Sequence, residues 1–134
     1  GMDISVCIID ILDNTLEFAG ANNPLYIYRN HELIELSPDK MPIGIHEFYE
    51  EPFNSKTIDI ECGDQIFMFS DGYADQFGGK NGKKLKYRRF KNILQESTEL
   101  EFKDRLSYIA DKFDAWKNDQ EQIDDVLVFG FTVL

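Results

Sequence analysis

Two short acidic segments hold the residue types in this sequence that are best suited to chemistry. Asp71 ends an apolar run and is followed at once by Gly72. Asp124 and Asp125 stand together just before the apolar residues that close the chain. A carboxylate at the end of an apolar strand is partly removed from water, which costs free energy unless an ion, a hydrogen-bond donor or water compensates its charge. Hard divalent cations such as Mg²⁺ and Mn²⁺ prefer such oxygen ligands, so the two segments are candidate parts of one metal site.

Each acidic segment also has a simpler interpretation. An Asp-Gly pair after a strand is usually a turn, and paired aspartates before a strand are usually a solvated cap. Gly72 lets the backbone turn at once and approach a ligand closely, which makes it a candidate substrate-binding position. The metal interpretation requires Asp71 and Asp124 to meet at a common edge of the folded sheet.

The cations are concentrated in one stretch of the chain. Seven of the fourteen Lys and Arg residues lie between Lys80 and Lys91, where there is no carboxylate. The glycine-rich segment 78–84 is predicted to be a mobile basic loop, in which Lys83 and Lys84 could attract a phosphorylated or acidic partner. Its glycine spacing is not a phosphate-cradling pattern, and a merely solvated loop is the competing interpretation.

Composition favours one folded, acidic domain. With 134 residues, 43% of them hydrophobic, the chain can bury a core and is not a disordered tail. A formal net charge of −11 repels nucleic acid and anionic membranes, so neither is an expected partner. No apolar run approaches the roughly 20 residues of a spanning helix, and no secretory signal precedes the domain. The two cysteines lack partners at metal-ligand spacing, which predicts reduced thiols in a cytoplasmic protein.

The elements that must position the acidic segments are predicted to be strands in the first half and helices in the second. Alternating or β-branched runs predict strands over 4–12, 16–19, 25–28, 32–36, 57–61, 65–70 and 126–134. Asn30 and His31 tolerate the positive φ of a tight hairpin, and segment 37–54 is predicted to be a long loop. This order of elements predicts an α+β fold with helices against an antiparallel sheet.

Two helices are predicted after the basic stretch. A short one surrounds Phe90, and a longer one starts at Thr98, which forms a capping-box pattern with Glu101. The apolar residues of the longer helix recur at helical spacing and are expected to pack in the core. They are Phe102, Leu106, Ile109, Ala110, Phe113 and Trp116.

The strands at 4–12 and 126–134 are predicted to be fully buried, yet few strands exist to flank them. Buried central strands need a neighbour on each edge. We therefore expect the sheet to be completed by sequence outside this chain or by a second copy, which would form a homodimer through the exposed sheet edge.

Four blocks of sequence occur in an order that resembles one family. They are Ala-Gly-Ala-Asn-Asn-Pro-Leu at 19–25, Met-Pro-Ile-Gly at 41–44, Gly-Asp-Gln-Ile-Phe-Met-Phe-Ser-Asp-Gly-Tyr at 63–73, and the aspartate pair at 124–125. Together they resemble the sporulation-protein-E-like branch of the phosphatase 2C superfamily, relatives of the bacterial phosphatases that regulate sigma factors. The resemblance runs over essentially the whole chain.

The resemblance implies an antiparallel β-sandwich flanked by helices, with a two-metal Mn²⁺ or Mg²⁺ centre at one edge. In such a centre a metal-activated water attacks phosphoserine or phosphothreonine directly, without a catalytic residue separate from the metal ligands. Asp71 and Asp124 match metal-ligand aspartates of the family, and Asp125 matches a neighbouring acid. The implied partner is a phosphorylated regulatory protein in a bacterial signalling pathway.

The sequence departs from the family in two places. The upstream block that binds both metals, an Asp-Gly pair followed by Gly-His-Gly, is absent, and Leu127 replaces a common hydroxyl residue. The remaining aspartates are too few for tight Mn²⁺ or Mg²⁺ binding. Residues 3–134 are therefore predicted to be a single partial domain, truncated at its N-terminal side and inactive alone. Gly1 and Met2 are interpreted as a cloning remnant.

Three functions remain open at this point. The first is the C-terminal portion of a metal-dependent protein serine/threonine phosphatase. The second is a non-catalytic phosphatase-like module that binds a regulatory phosphoprotein. The third is a structural β-domain that self-associates through its exposed edge.

Overall fold

The computed structural model describes residues 1–47 and 50–134, so Phe48 and Tyr49 of the predicted loop lie outside the described residues. The described residues form two compact units, a sheet unit (Gly1–Phe69 with Val128–Leu134) and a helical unit (Ser70–Leu127). Within residues 1–47 and 50–134, no helix is long and apolar enough to cross a membrane.

The order of elements follows the prediction of strands before helices. Along the described chain the elements are β1 (Ile4–Asp10), β2 (Thr15–Ala21), β3 (Leu25–Arg29), β4 (Glu32–Leu36), β5 (Lys56–Asp59), β6 (Gln65–Phe69), α1 (Gly72–Asp75), β7 (Phe77–Gly78), β8 (Lys83–Lys84), α2 (Lys86–Thr98), α3 (Phe102–Lys117) and β9 (Val128–Thr132).

The sheet unit contains two antiparallel sheets that share one hydrophobic core. One sheet has the strand order β1-β2-β5, and the other has the order β4-β3-β6-β9. The core cluster includes Leu16 and Phe18 of β2, Leu25 and Ile27 of β3, and Ile66 of β6, all fully buried. Strands supply alternate side chains to one face, so both sheets contribute their inner faces to the same core. The predicted antiparallel β-sandwich is confirmed.

The tight turn between β3 and β4 forms as the sequence indicates. Asn30 and His31 have φ angles of 50° and 66°, the left-handed values that hairpin turns of two residues require. The turn fixes the register in which Arg29 lies opposite Glu32.

In the sheet unit an ion pair joins Arg29, at the end of β3, to the buried Asp64, directly before β6. The Arg29 guanidinium donates to both carboxylate oxygens of Asp64, over 2.8 and 2.7 Å, and the Glu61 backbone N–H donates to Asp64 over 2.8 Å. The Asp64 side chain is only 1% exposed. Burial alone would raise the pKa of Asp64, but these hydrogen bonds outweigh it and hold the pKa below its ordinary value.

The prediction that the first and last strands are fully buried is wrong. In the described part of the chain, β1 pairs only with β2 and β9 only with β6, so both are edge strands. Val6 and Ile8 of β1 are 48% and 63% exposed, and Phe129 of β9 is 56% exposed. A continuous apolar run indicates two apolar faces, but it does not show whether anything covers the outer one.

The helical unit is organised around Tyr73. Its ring centroid lies 4.7 Å from that of Phe90 and 5.0 Å from that of Phe113, and its hydroxyl donates to the Ile109 carbonyl over 2.7 Å. Tyr73 is 1% exposed, and this burial raises the pKa of its hydroxyl. The aromatic cluster therefore joins α1, α2 and α3 into one core.

Two local predictions in the helical unit need revision. The predicted loop 78–84 forms the turn, at 79–82, and part of the strands of a short hairpin, in which Phe77 pairs with Lys84 and Gly78 with Lys83. The predicted capping box does not form, because Thr98 ends α2 and its hydroxyl donates to the Gln95 carbonyl over 2.6 Å. The longer helix, α3, begins later than predicted, at Phe102.

The apolar stripe of α3 is only partly a core face. Ile109 and Phe113 are buried, as predicted, whereas Phe102 and Leu106 are 72% and 73% exposed. Ala110 is exposed and Trp116 is half-buried. The stripe continues through the first turns of the helix, but the contacts described between Tyr73 and α3 are made farther along it, at Ile109 and Phe113.

Candidate functional site

Along the chain, the two acidic segments are the first and last parts of the helical unit. Asp71 is half-buried and directly precedes α1. Asp124 and Asp125 are exposed and belong to an irregular stretch that ends where β9 begins at Val128, two residues later than predicted. Along the chain, the first segment therefore follows β6 and the second precedes β9.

Ser70 holds the two segments side by side. Its backbone N–H donates to the Leu127 carbonyl over 3.0 Å, and its hydroxyl donates to the Asp125 carbonyl over 3.1 Å. The Leu127 backbone N–H donates back to the Ser70 hydroxyl over 3.0 Å. A hydroxyl can donate and accept together, so one side chain satisfies two backbone groups of the second segment. The structure thus brings the segments of Asp71 and Asp124 together.

Gly72 permits the closest approach between the segments. It is buried, and a Cβ added there would lie 2.2 Å from the Asp125 carbonyl oxygen and 2.9 Å from the carbonyl carbon. Any side chain at this position would force the backbone of one segment to move. The structure therefore gives Gly72 a packing role against Asp125, and its predicted contact with substrate stays a prediction.

Gln76 anchors the backbone just before the second acidic segment. This side chain is fully buried, and its amide nitrogen donates to the Glu121 carbonyl over 2.9 Å and to the Phe77 carbonyl over 3.0 Å. The roles of Ser70 and Gln76 were not predicted from the sequence. The one sequence feature that could have indicated these roles is that each residue is polar within an otherwise apolar or turn-forming run.

The cations predicted to attract a partner lie on the hairpin that follows α1. Lys83 and Lys84 are both exposed in β8. The Lys84 ammonium lies 3.6 Å from the Asp75 carboxylate and 5.9 Å from the centre of the Phe77 ring. Asp75 thus engages one of the two cations.

The described carboxylates do not form a metal site by themselves. Among the described residues, no group of three or more His, Cys, Asp or Glu side chains is arranged to hold a metal ion. Hard cations such as Mn²⁺ and Mg²⁺ need several oxygen ligands in a defined cage. The acids of this chain therefore do not complete such a cage by themselves.

Several solved structures share this fold. The chain is similar to the SiaA-PP2C domain of Pseudomonas aeruginosa, with a TM-score of 0.89 and 23% identity over 97% of this chain and 51% of that one. For the phosphatase domain of the cell fate determinant SpoIIE from Bacillus subtilis, the TM-score is 0.66 with 16% identity, over 98% and 56% of the two chains. For the catalytic domain of serine/threonine protein phosphatase PstP, in complex with two manganese ions, the values are 0.59 and 13%, over 98% and 58%.

These likenesses define the class as the phosphatase 2C fold, and the chain spans about half the length of the structures it matches. The family model of Stage II sporulation protein E (SpoIIE) matches residues 2–133. The chain belongs to this family, which confirms the resemblance of its four sequence blocks. No curated protein gave a match.

Proposed function

We propose that this chain is the C-terminal portion of a Mn²⁺- or Mg²⁺-dependent protein serine/threonine phosphatase. In this proposal Asp71 and Asp124 are metal ligands, Asp125 is a neighbouring acid, and the remaining ligands come from sequence outside the 134 residues. The observation that carries the proposal is that the two acidic segments are held together by the hydrogen bonds of Ser70 and by the close packing of Gly72. Such a junction holds the backbones of the two segments together before any ion binds, which lowers the cost of forming a site.

The comparisons support the chemistry that we propose. The chain belongs to a family whose solved relatives are phosphatase domains, and the PstP domain was solved with two manganese ions. The substrate in this proposal is phosphoserine or phosphothreonine of a regulatory protein, in a cytoplasmic bacterial signalling pathway of the kind that controls sigma factors. Lys83 and Lys84 would attract that phosphoprotein.

We expect the 134-residue chain to be inactive alone and to gain activity when its native upstream sequence is restored. With Mn²⁺ and p-nitrophenyl phosphate, the extended protein should hydrolyse substrate. The Asp71→Asn and Asp124→Asn variants should lose at least about 100-fold in kcat/KM, as expected when a group that stabilises transition-state charge is removed. Steady-state rates across a Mn²⁺ titration provide the measurement.

Asp119→Asn is the matched control, because Asp119 is an exposed acid of the same helical unit that lies outside the two segments. It should keep the parental rate. Undiminished turnover in the extended Asp71→Asn protein would contradict the ligand assignment. Turnover by the 134-residue chain that Asp71→Asn abolishes would contradict the expected inactivity.

The incomplete set of carboxylates favours one alternative, a module that binds a regulatory phosphoprotein without hydrolysing it. The same experiment separates the two functions. An extended protein that retains a phosphoprotein but releases no phosphate, with Mn²⁺ or Mg²⁺ present, would establish the alternative.

We also propose that the exposed edge of β1 pairs with a second copy when the chain is isolated. The edge carries the exposed side chains Val6 and Ile8, and unpaired strand edges with apolar side chains promote association. Light scattering after size exclusion should give a mass twice the 15.6 kDa of one chain, and Ile8→Lys should restore the single-chain mass. A parental chain that stays monomeric at several hundred micromolar would refute this pairing.

A further inference from the structure

The helical unit contains an open groove between α2 and α3 that is separate from the acidic segments. Its volume is about 420 Å³. Its lining includes the apolar side chains Leu85, Ile93 and Ala115 and three larger side chains, Arg89, Lys112 and Trp116. Apolar lining with a few well-placed charged groups is typical of binding sites rather than of solvated surface.

The Trp116 wall of the groove is fixed before anything binds. Its indole N–H donates to the Gln76 carbonyl over 2.9 Å, and its own carbonyl accepts from the Gly79 backbone N–H over 2.9 Å. Gly79 has a φ of +68°, and a Cβ added there would lie 2.7 Å from two atoms of the indole ring. The hairpin therefore packs its backbone directly onto the tryptophan. A rigid aromatic wall loses little entropy on binding, which favours affinity.

Arg89 is oriented by the same tryptophan. The centre of its guanidinium lies 4.7 Å from the centre of the Trp116 ring. A guanidinium stacked on an aromatic face keeps its in-plane N–H groups available for a carboxylate. In the described part of the chain, no carboxylate lies within ion-pairing distance of Arg89 or Lys112.

The charge around the groove is favourable to an anion. Arg89 belongs to the stretch between Lys80 and Lys91 that contains seven cations and no carboxylate. The one acid in the groove lining, Glu96, accepts a hydrogen bond from the Tyr108 hydroxyl. The formal charge of −11 on the whole chain repels an anion elsewhere, so the local cations would direct an acidic ligand to this face.

We propose that the α2–α3 groove binds an acidic peptide segment of a partner protein. Carboxylates of the peptide pair with Arg89 and Lys112, and one apolar side chain of the peptide packs on Leu85, Ile93 and Ala115. A peptide fits better than a free anion, because the groove offers apolar area beside its cations. The proposal does not depend on metal binding or on phosphatase activity, since neither Asp71 nor Asp124 lines the groove.

Trp116 is the single tryptophan of the chain, so its fluorescence reports directly on ligand binding in the groove. The probe is an eight-residue peptide with six acidic residues around a Leu-Phe pair, titrated into the metal-free 134-residue chain. We expect a saturable change in Trp116 fluorescence. Anisotropy of the fluorescein-labelled peptide should give the same affinity without relying on the tryptophan signal.

Variants test the two cations separately. Arg89→Gln should weaken binding about five-fold and Arg89→Glu about ten-fold or more, and Lys112→Glu should act in the same direction. Lys103→Glu is the matched control, because Lys103 is an exposed cation of α3 outside the groove, and it should leave the affinity unchanged. Circular dichroism of each variant establishes that it is folded.

Three results would overturn the proposal. The first is the absence of a saturable signal up to millimolar peptide. The second is equal binding by the parental chain and folded Arg89→Glu. The third is stronger binding of a matched basic peptide or of a single-stranded oligonucleotide. A version of the probe with Gly-Ser in place of Leu-Phe should bind more weakly, and undiminished affinity would contradict the apolar anchor.

Discussion

The Gly72→Ala variant is expected to lose about 3 kcal/mol of unfolding free energy, because overpacking against backbone cannot be relieved by rotating a side chain. The added methyl would lie 2.2 Å from the Asp125 carbonyl oxygen. One of the two acidic segments must then move, and the hydrogen bonds that Ser70 makes to the second segment must lengthen. Urea denaturation followed by circular dichroism and tryptophan fluorescence measures the loss.

Gly63→Ala is the control for this prediction. Gly63 has a φ of +92°, but a Cβ there meets no atom within 4 Å. Its substitution should therefore cost only the backbone strain of a left-handed residue, about 1 kcal/mol. Equal losses at the two positions would show that contact with Asp125 is not what requires glycine at position 72.

Arg29→Met is expected to destabilise the sheet unit by about 3 kcal/mol, since removing one partner of a buried ion pair leaves an uncompensated charge. The remaining carboxylate, Asp64, is 1% exposed and would keep only its hydrogen bond from the Glu61 backbone among the contacts described above. Methionine preserves most of the volume of the arginine stem, so the loss reports on charge rather than on packing.

The effect of Arg29→Met should depend on pH. Because the pKa of Asp64 is lowered on folding, the ion pair contributes its full stability above the unfolded pKa, near 4. That contribution disappears as the pH falls through the lower folded pKa. The difference in unfolding free energy between parent and variant should therefore be largest at neutral pH and should narrow below about pH 4.

The double variant Arg29→Met with Asp64→Asn supplies the control for charge. Asparagine removes the buried negative charge, so the double variant should be more stable than Arg29→Met alone at pH 7. A stability difference that stays constant from pH 3 to 7, or a double variant no more stable than the single one, would contradict this account of the ion pair.

The strands and hairpin turns of the sheet unit could be predicted because their signals are local. Alternating side chains and the left-handed preference of Asn30 and His31 depend on neighbours in the chain. The start of α3 could not be placed in the same way. Thr98 fits an N-cap, but a threonine hydroxyl also bonds to a carbonyl three residues earlier, which is what Thr98 does at the end of α2.

The two acidic segments could be predicted because each is attached to an apolar run that must form a strand. The residues that fasten them could not, because the hydrogen bond from Ser70 to the Asp125 carbonyl joins residues 55 positions apart. The exposed faces of β1 and β9 have a similar explanation. Apolar side chains such as Ile8 indicate a surface suited to burial, but the sequence of one chain does not show whether another molecule covers it.

The register of β6 against β9 has a consequence for the variability of this fold. Phe69 lies opposite Val128, so the chain leaves the sheet and returns to it at two directly paired residues. Everything between them is an insertion in a hairpin whose strands would keep their alignment if the insertion were shortened, lengthened or exchanged. The segment between β6 and β9 can therefore vary in length and sequence, and so in what it recognises, while the pairing of the two strands stays the same.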